Sequence, residues 1–116
     1  MSMKILYLKK NDLQPYYYAK AKQSDGTVIN LSGATIYCTM KKVDGSIKID
    51  RKTAGINVSD AAAGEFEYKW QSGDTDTLGS YHIEFEINPS AGGKFTVPAD
   101  PNDVALVKIE ASLDTT

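Results

Sequence analysis

The sequence predicts an all-β fold, an antiparallel sandwich of about seven to nine strands with little or no helix. Three observations carry that expectation. From Gly64 to Ile87 two runs alternate at period two, Phe66/Tyr68/Trp70 against Glu65/Glu67/Lys69 and then Tyr81/Ile83/Phe85/Ile87 against His82/Glu84/Glu86. That period puts apolar side chains on one sheet face and charges on the other. Turn signals recur along the chain at intervals of about 8–12 residues. No long segment follows a 3.6-residue period, so helix is expected nowhere beyond one turn at Ala61-Ala-Ala63.

The elements follow in order. Residues 3–9 alternate Met3, Ile5 and Tyr7 with Lys4, Leu6 and Leu8; both parities are partly apolar, which suits either an edge strand or one that touches a neighbour. Pro15 opens a second run that places Tyr17, Ala19 and Ala21 on one face and Tyr16, Tyr18, Lys20 and Lys22 on the other. Ser24-Asp-Gly26 and Asn30-Leu-Ser-Gly33 are turn signals. Ala34 to Val43 is a core strand with Ile36, Cys38 and Met40 inward and Thr35, Tyr37, Thr39 and Lys41 outward. Asp44-Gly45 predicts a hairpin into a strand whose Ile47 and Ile49 alternate with Lys48 and Asp50. A short strand with Ile56 and Val58 precedes the loop Asp60–Gly64 and the two alternating runs. Pro89 stops the second run, Phe95 and Val97 make a short strand up to Pro98, and Ala99–Asp103 forms a loop. The last strand runs from Val104 to Leu113, and residues 113–116 are a frayed tail.

A chain of 116 residues is expected to be one domain, large enough to bury about two-thirds of its unfolded surface. Cys38 is the sole cysteine, so no internal disulfide forms and a reducing cytoplasm suits the chain. No stretch is long and apolar enough for a membrane span, and the N-terminus lacks the core of a signal peptide. A net charge of −2 and a pI near 5.3 argue against a dedicated nucleic-acid binder. The charge is uneven: residues 1–58 hold ten Lys/Arg against four Asp/Glu, and residues 59–116 hold three against eleven, giving +6 and −8. Two readings stand open: cross-strand pairing of Lys-bearing with Glu-bearing strands, or opposite patches that dock one molecule on another.

The candidate chemistry is sparse. His82 is the only histidine and faces outward, whereas Cys38 faces inward, so a nucleophile and base are not brought together. One His and one Cys do not make a transition-metal site, and no cofactor is expected. Asp74-Thr-Asp76 and Asp100-Pro-Asn-Asp103 are oxygen-rich enough to suggest calcium; the structural alternative has Asp74 and Asp76 accepting backbone amides in a tight turn. Glu65/Glu67 and Glu84/Glu86 lie on outward strand faces rather than in a pocket. Tyr16, Tyr18, Lys20, Lys22 and Tyr37 occupy outward parities and form the candidate partner surface, for a protein or, alternatively, for a carbohydrate or host surface.

Asp76-Thr-Leu-Gly79-Ser-Tyr81 resembles the tyrosine corner of immunoglobulin-like sandwiches. The antibody pattern has a Cys two residues after that Tyr; this chain has Ile83 there, and its Trp70 precedes the corner, where it is expected to pack in the core.

A wider resemblance follows from motifs in one order: Asp12-Leu-Gln-Pro15, Ser24-Asp-Gly-Thr-Val-Ile-Asn-Leu-Ser-Gly-Ala34, Met40-Lys-Lys, Gly64-Glu-Phe-Glu-Tyr-Lys-Trp70, Asp74-Thr-Asp-Thr-Leu-Gly-Ser-Tyr81, Glu84-Phe-Glu86 and Thr96-Val-Pro98. Together they resemble the small sandwich domain at the N-terminus of tailed-phage baseplate upper proteins, and related phage and prophage structural proteins. The resemblance implies a non-enzymatic virion component, made in the bacterial host cytoplasm, that docks to other phage structural subunits or to its own copies. Baseplate upper proteins continue into helical and receptor-carrier regions, so the resemblance leaves the place in the particle open.

Overall fold

The structure is a computed structural model and describes residues 2–23, 25–98 and 103–111. Its strands are β1 (Ser2–Lys9), β2 (Tyr17–Lys20), β3 (Thr35–Lys42), β4 (Ile47–Lys52), β5 (Ile56–Asp60), β6 (Glu65–Tyr68), β7 (Gly79–Asn88), β8 (Phe95–Val97) and β9 (Asp103–Glu110). They form a large sheet in the order β1-β9-β7-β3-β4, with β8 also on β7, and a small sheet β2-β6-β5. β8 pairs with Phe85–Ile87 and β9 with Gly79–His82, so the two share one edge of β7. With β2, β6 and β5 as strands B, E and D, and β9, β7, β3 and β4 as G, F, C and C′, this is an immunoglobulin-like sandwich. The all-β expectation holds. Ser24, the loop residues 99–102 and the tail 113–116 lie outside the described residues.

The alternation seen in the sequence becomes the interface between the sheets. β3 buries Ile36, Cys38 and Met40; β7 buries Tyr81, Ile83, Phe85 and Ile87; the small sheet supplies Tyr17, Phe66 and Tyr68. Phe85 closes the seam, edge-on to Phe66 at 4.9 Å and tilted against Tyr17 at 5.6 Å between ring centroids. Trp70 is buried as expected, just past the end of β6, with its indole N–H donating to Pro15 O at 2.9 Å. The Asp44-Gly45 turn joins β3 to β4 through Gly45 N–H on Lys42 O and Ser46 N–H on Asp44 Oδ1. At the opposite end Gly64 has a φ of 72°, and a Cβ there would meet Ala21 O at 2.8 Å and Ile29 O at 2.9 Å, so the β2–β3 loop packs on bare backbone.

Three sequence expectations need correction. The sheets are not wholly antiparallel, because β1 runs parallel to β9 in unbroken register. Glu67 is buried at 8% exposure instead of facing water. β6 is the central strand of its sheet, so Glu67 is flanked by Tyr18 on β2 and Asn57 on β5, and Asn57 Nδ2 donates to it at 3.0 Å. Ile47 is 56% exposed while Ile49 is fully buried. Register shifts on either side of Met40 break the β3–β4 ladder and carry the start of β4 beyond the core.

The neighbouring isoleucines supply a test. Ile49→Ala is expected to cost about 2–5 kcal/mol, and Ile47→Ala to stay within about 0.5 kcal/mol, in urea unfolding. Equal losses at the two positions would contradict the register.

Candidate functional site

The segment 69–78 between β6 and β7 gathers most of the buried polar chemistry. Asp74 is 2% exposed, and its Oδ2 accepts the Tyr68 hydroxyl at 2.7 Å and the Gln71 N–H at 2.8 Å. Lys52 Nζ approaches Oδ1 at 3.6 Å. Thr75, also buried, donates through Oγ1 to Asp12 O at 2.9 Å and accepts Asn11 N–H at its own carbonyl. Asp76 takes the Lys48 ammonium and the Thr77 hydroxyl. The Tyr81 hydroxyl then donates to Thr77 O at 2.7 Å, the bond of a tyrosine corner. Gly79, at φ 147°, lets the chain enter β7 against the stem of Lys42. The corner predicted from Asp76, Gly79 and Tyr81 is thus assembled, and the sequence reading missed Tyr68 and Lys52 as the partners of Asp74.

These carboxylates are taken up by protein donors. Asp100 lies outside the described residues, as does the side chain of Asp103. Among the described residues no group of three or more His, Cys, Asp or Glu side chains converges. Cys38 is fully buried and burial pushes its thiol well up, while His82 stands exposed on the other face of the large sheet.

The corner also unites three loops at one end of the sandwich. Residues 11–15 bond to Thr75 and Trp70, the β3–β4 hairpin bonds to Ser80 through Val43 N–H, and Lys48 reaches Asp76. Four of the large apolar side chains left exposed sit on these segments: Leu13, Val43, Ile47 and Leu78. Nothing in their sequence spacing links them; only the folded corner does.

The candidate tyrosine surface divides. Tyr18 and Lys20 lie on the outer face of the small sheet, with Tyr16 and Lys22 flanking β2, and Lys69 Nζ stands 5.7 Å from the Tyr16 ring. Tyr18, 58% exposed, has its hydroxyl pKa raised by a hydrogen bond to Glu67. Tyr18 and Lys20 border a groove of about 460 Å³ with Lys4, Glu65 and Phe66. Tyr37 belongs to the large sheet, where the Arg51 guanidinium covers its ring at 4.3 Å and reaches Glu86 at 2.6 Å. Strand parity identified which residues face out but not which sheet carries them. The open depression of about 270 Å³ on that face is bordered by Lys41, His82, Glu84 and Lys94, without a Tyr, Trp or Phe side chain.

The two oppositely charged halves meet through ion pairs of β4 with the 69–78 segment and, across β3, with β7. Lys48–Asp76, Arg51–Glu86 and Lys52–Asp74 each join the basic first half to the acidic second half. β3 lies against β7 and β2 against β6, so the two halves interleave in space.

Three tyrosines give the fold an alkaline limit. Burial, with Cys38 nearby, pushes Tyr17 from 10.0 up to about 12. Burial raises Tyr81, and burial with the bond to Asp74 raises Tyr68. Groups with raised folded pKa values stabilise fully below the unfolded value and lose that contribution as pH rises through the folded one. Thermal stability is therefore expected to hold up to pH 10.0 and fall toward about 12, near-UV circular dichroism vanishing as the buried phenolates appear. Complete tyrosine ionisation in a chain that keeps its near-UV signal would contradict this. No protein-family model matches the chain, and no curated protein is similar to it.

Proposed function

We propose that the chain is a non-enzymatic structural protein of a phage or prophage particle, a tail or baseplate component acting through protein–protein contacts in a symmetric assembly. It is made in the bacterial cytoplasm and ends in the virion, held by other structural subunits. The observation that carries this reading is the corner end, where Leu13, Val43, Ile47 and Leu78 stand exposed on three loops locked together by hydrogen bonds. Exposed apolar side chains carried on segments bonded to one another suit protein contacts, and a symmetric array multiplies weak contacts through effective concentration. The ordered motifs that resemble those of the phage domains support the same reading, since Pro15, Trp70, Asp74, Gly79 and Tyr81 all belong to this corner.

Mass spectrometry of particles purified from cells that carry the gene tests the proposal. The chain is expected in the particles at a fixed ratio to the other structural subunits. A Val43→Asp/Leu78→Asp variant is expected to fold with unchanged circular dichroism and to be left out of the particles. Particles that lack the native chain would overturn the reading.

A further inference from the structure

The free strand edges are not equivalent. β4 has a broken ladder, a positive φ at Arg51 and charges at Lys48, Asp50, Arg51 and Lys52. β5 is short and bulged between Val58 and Asp60. β2 pairs over four residues, and the Lys4 ammonium caps its Tyr18 carbonyl. Such bulges, charges and short lengths guard edges against pairing. β1 is longer and unbulged: eight residues pair with β9 without a shift, and its two charges, Lys4 and Lys9, flank the uncharged run Ile5-Leu6-Tyr7-Leu8. Lys4 is engaged with the small sheet, its ammonium 4.1 Å from the centre of the Tyr17 ring and bonded to Tyr18 O.

The hydrogen-bond phase of β1 fixes which groups its outer edge offers. Lys10 N–H donates to Glu110 O, beyond the Lys9–Glu110 pair, so the even residues of β1 bond to β9. The N–H and C=O of Ile5 and Tyr7 then point to the open side. Among the described residues, no backbone bond outside the strand ladders reaches them.

We infer that β1 is a homodimerisation edge, pairing antiparallel with β1 of a second copy about a two-fold axis at Leu6. In this register Ile5 lies opposite Tyr7 of the second copy, and both present the outward N–H and C=O that an antiparallel hydrogen-bonded pair exchanges. Leu6 meets Leu6 at the close, non-hydrogen-bonded position. Lys4 falls opposite Leu8 and Lys9 opposite Met3, so no like charges oppose. Tyr7, 56% exposed on the outer face, gains an apolar neighbour in Ile5 of the second copy. The self-complementary register favours a second copy over a foreign strand, and an isologous pair closes without leaving a further β1 edge. The two large sheets become one. This pairing is independent of the virion reading and holds wherever the domain works.

Sedimentation velocity on the full chain over a concentration series tests the pairing. A dimer that dissociates on dilution is expected. Tyr7→Pro removes an outward N–H and no bond to β9, and is expected to give a folded monomer. Leu6→Cys is expected to cross-link on oxidation much faster than Tyr18→Cys, and this comparison decides the matter if the proline variant does not fold. A chain monomeric at every concentration, a folded Tyr7→Pro variant that still dimerises, or equal cross-linking of the two cysteine variants would overturn the β1 dimer. The chain's presence in particles is read separately, so either proposal can fail alone.

Discussion

Burying the Asp74 carboxylate is unfavourable unless donors meet its oxygens, and the corner of the sandwich is arranged around that requirement. Tyr68 supplies a hydroxyl from the small sheet, Lys52 an ammonium from β4 of the large sheet, and Gln71 an N–H from the turn itself. One side chain therefore fixes the turn and ties it to both layers. Its neighbours extend the connection, Thr75 to the β1–β2 loop and Asp76 to Lys48. Among the described residues no buried side-chain nitrogen or oxygen lacks a partner, the condition under which a polar network specifies one geometry.

What the molecule presents to its surroundings follows from this arrangement. Because the loops at the corner end are bonded to one another, their exposed apolar side chains stand on a support that loses little entropy on docking. The sheet faces are different in kind. Lysine- and glutamate-bearing strands lie side by side there, β3 against β7 and β2 against β6. The sandwich thus offers an end with four exposed large apolar side chains and one regular strand edge.

Much of the fold was legible because the alternation in β7 is perfect over four inward residues, and because Asp44-Gly45 and the Gly79–Tyr81 spacing are local signals. The misses share a cause. Alternation reports which way a side chain points but not what lies beside its strand, so Glu67 read as solvated although its strand is central. Tyr37 read as a companion of Tyr18 although the two lie in different sheets. Ile47 obeyed the period and still fell outside the core, since the extra residues that shift the pairing of β4 with β3 leave no mark in the apolar spacing. The Trp70–Pro15 bond joins residues 55 positions apart, and the Tyr68–Asp74 bond crosses a turn whose shape exists only once folded. The candidate docking end was correspondingly less legible than the fold: its tyrosine corner could be read, its apolar group could not.

A double-mutant cycle on Tyr68 and Asp74 addresses the corner most directly. Tyr68→Phe, Asp74→Ala and the double variant are compared by urea unfolding. If Asp74 is the hub, each single change costs about 1–3 kcal/mol or more by stranding a buried partner. The double variant then costs less than the two together, with a coupling of about 0.5–3 kcal/mol. Additive costs, or an Asp74→Ala variant as stable as the native chain, would contradict the account.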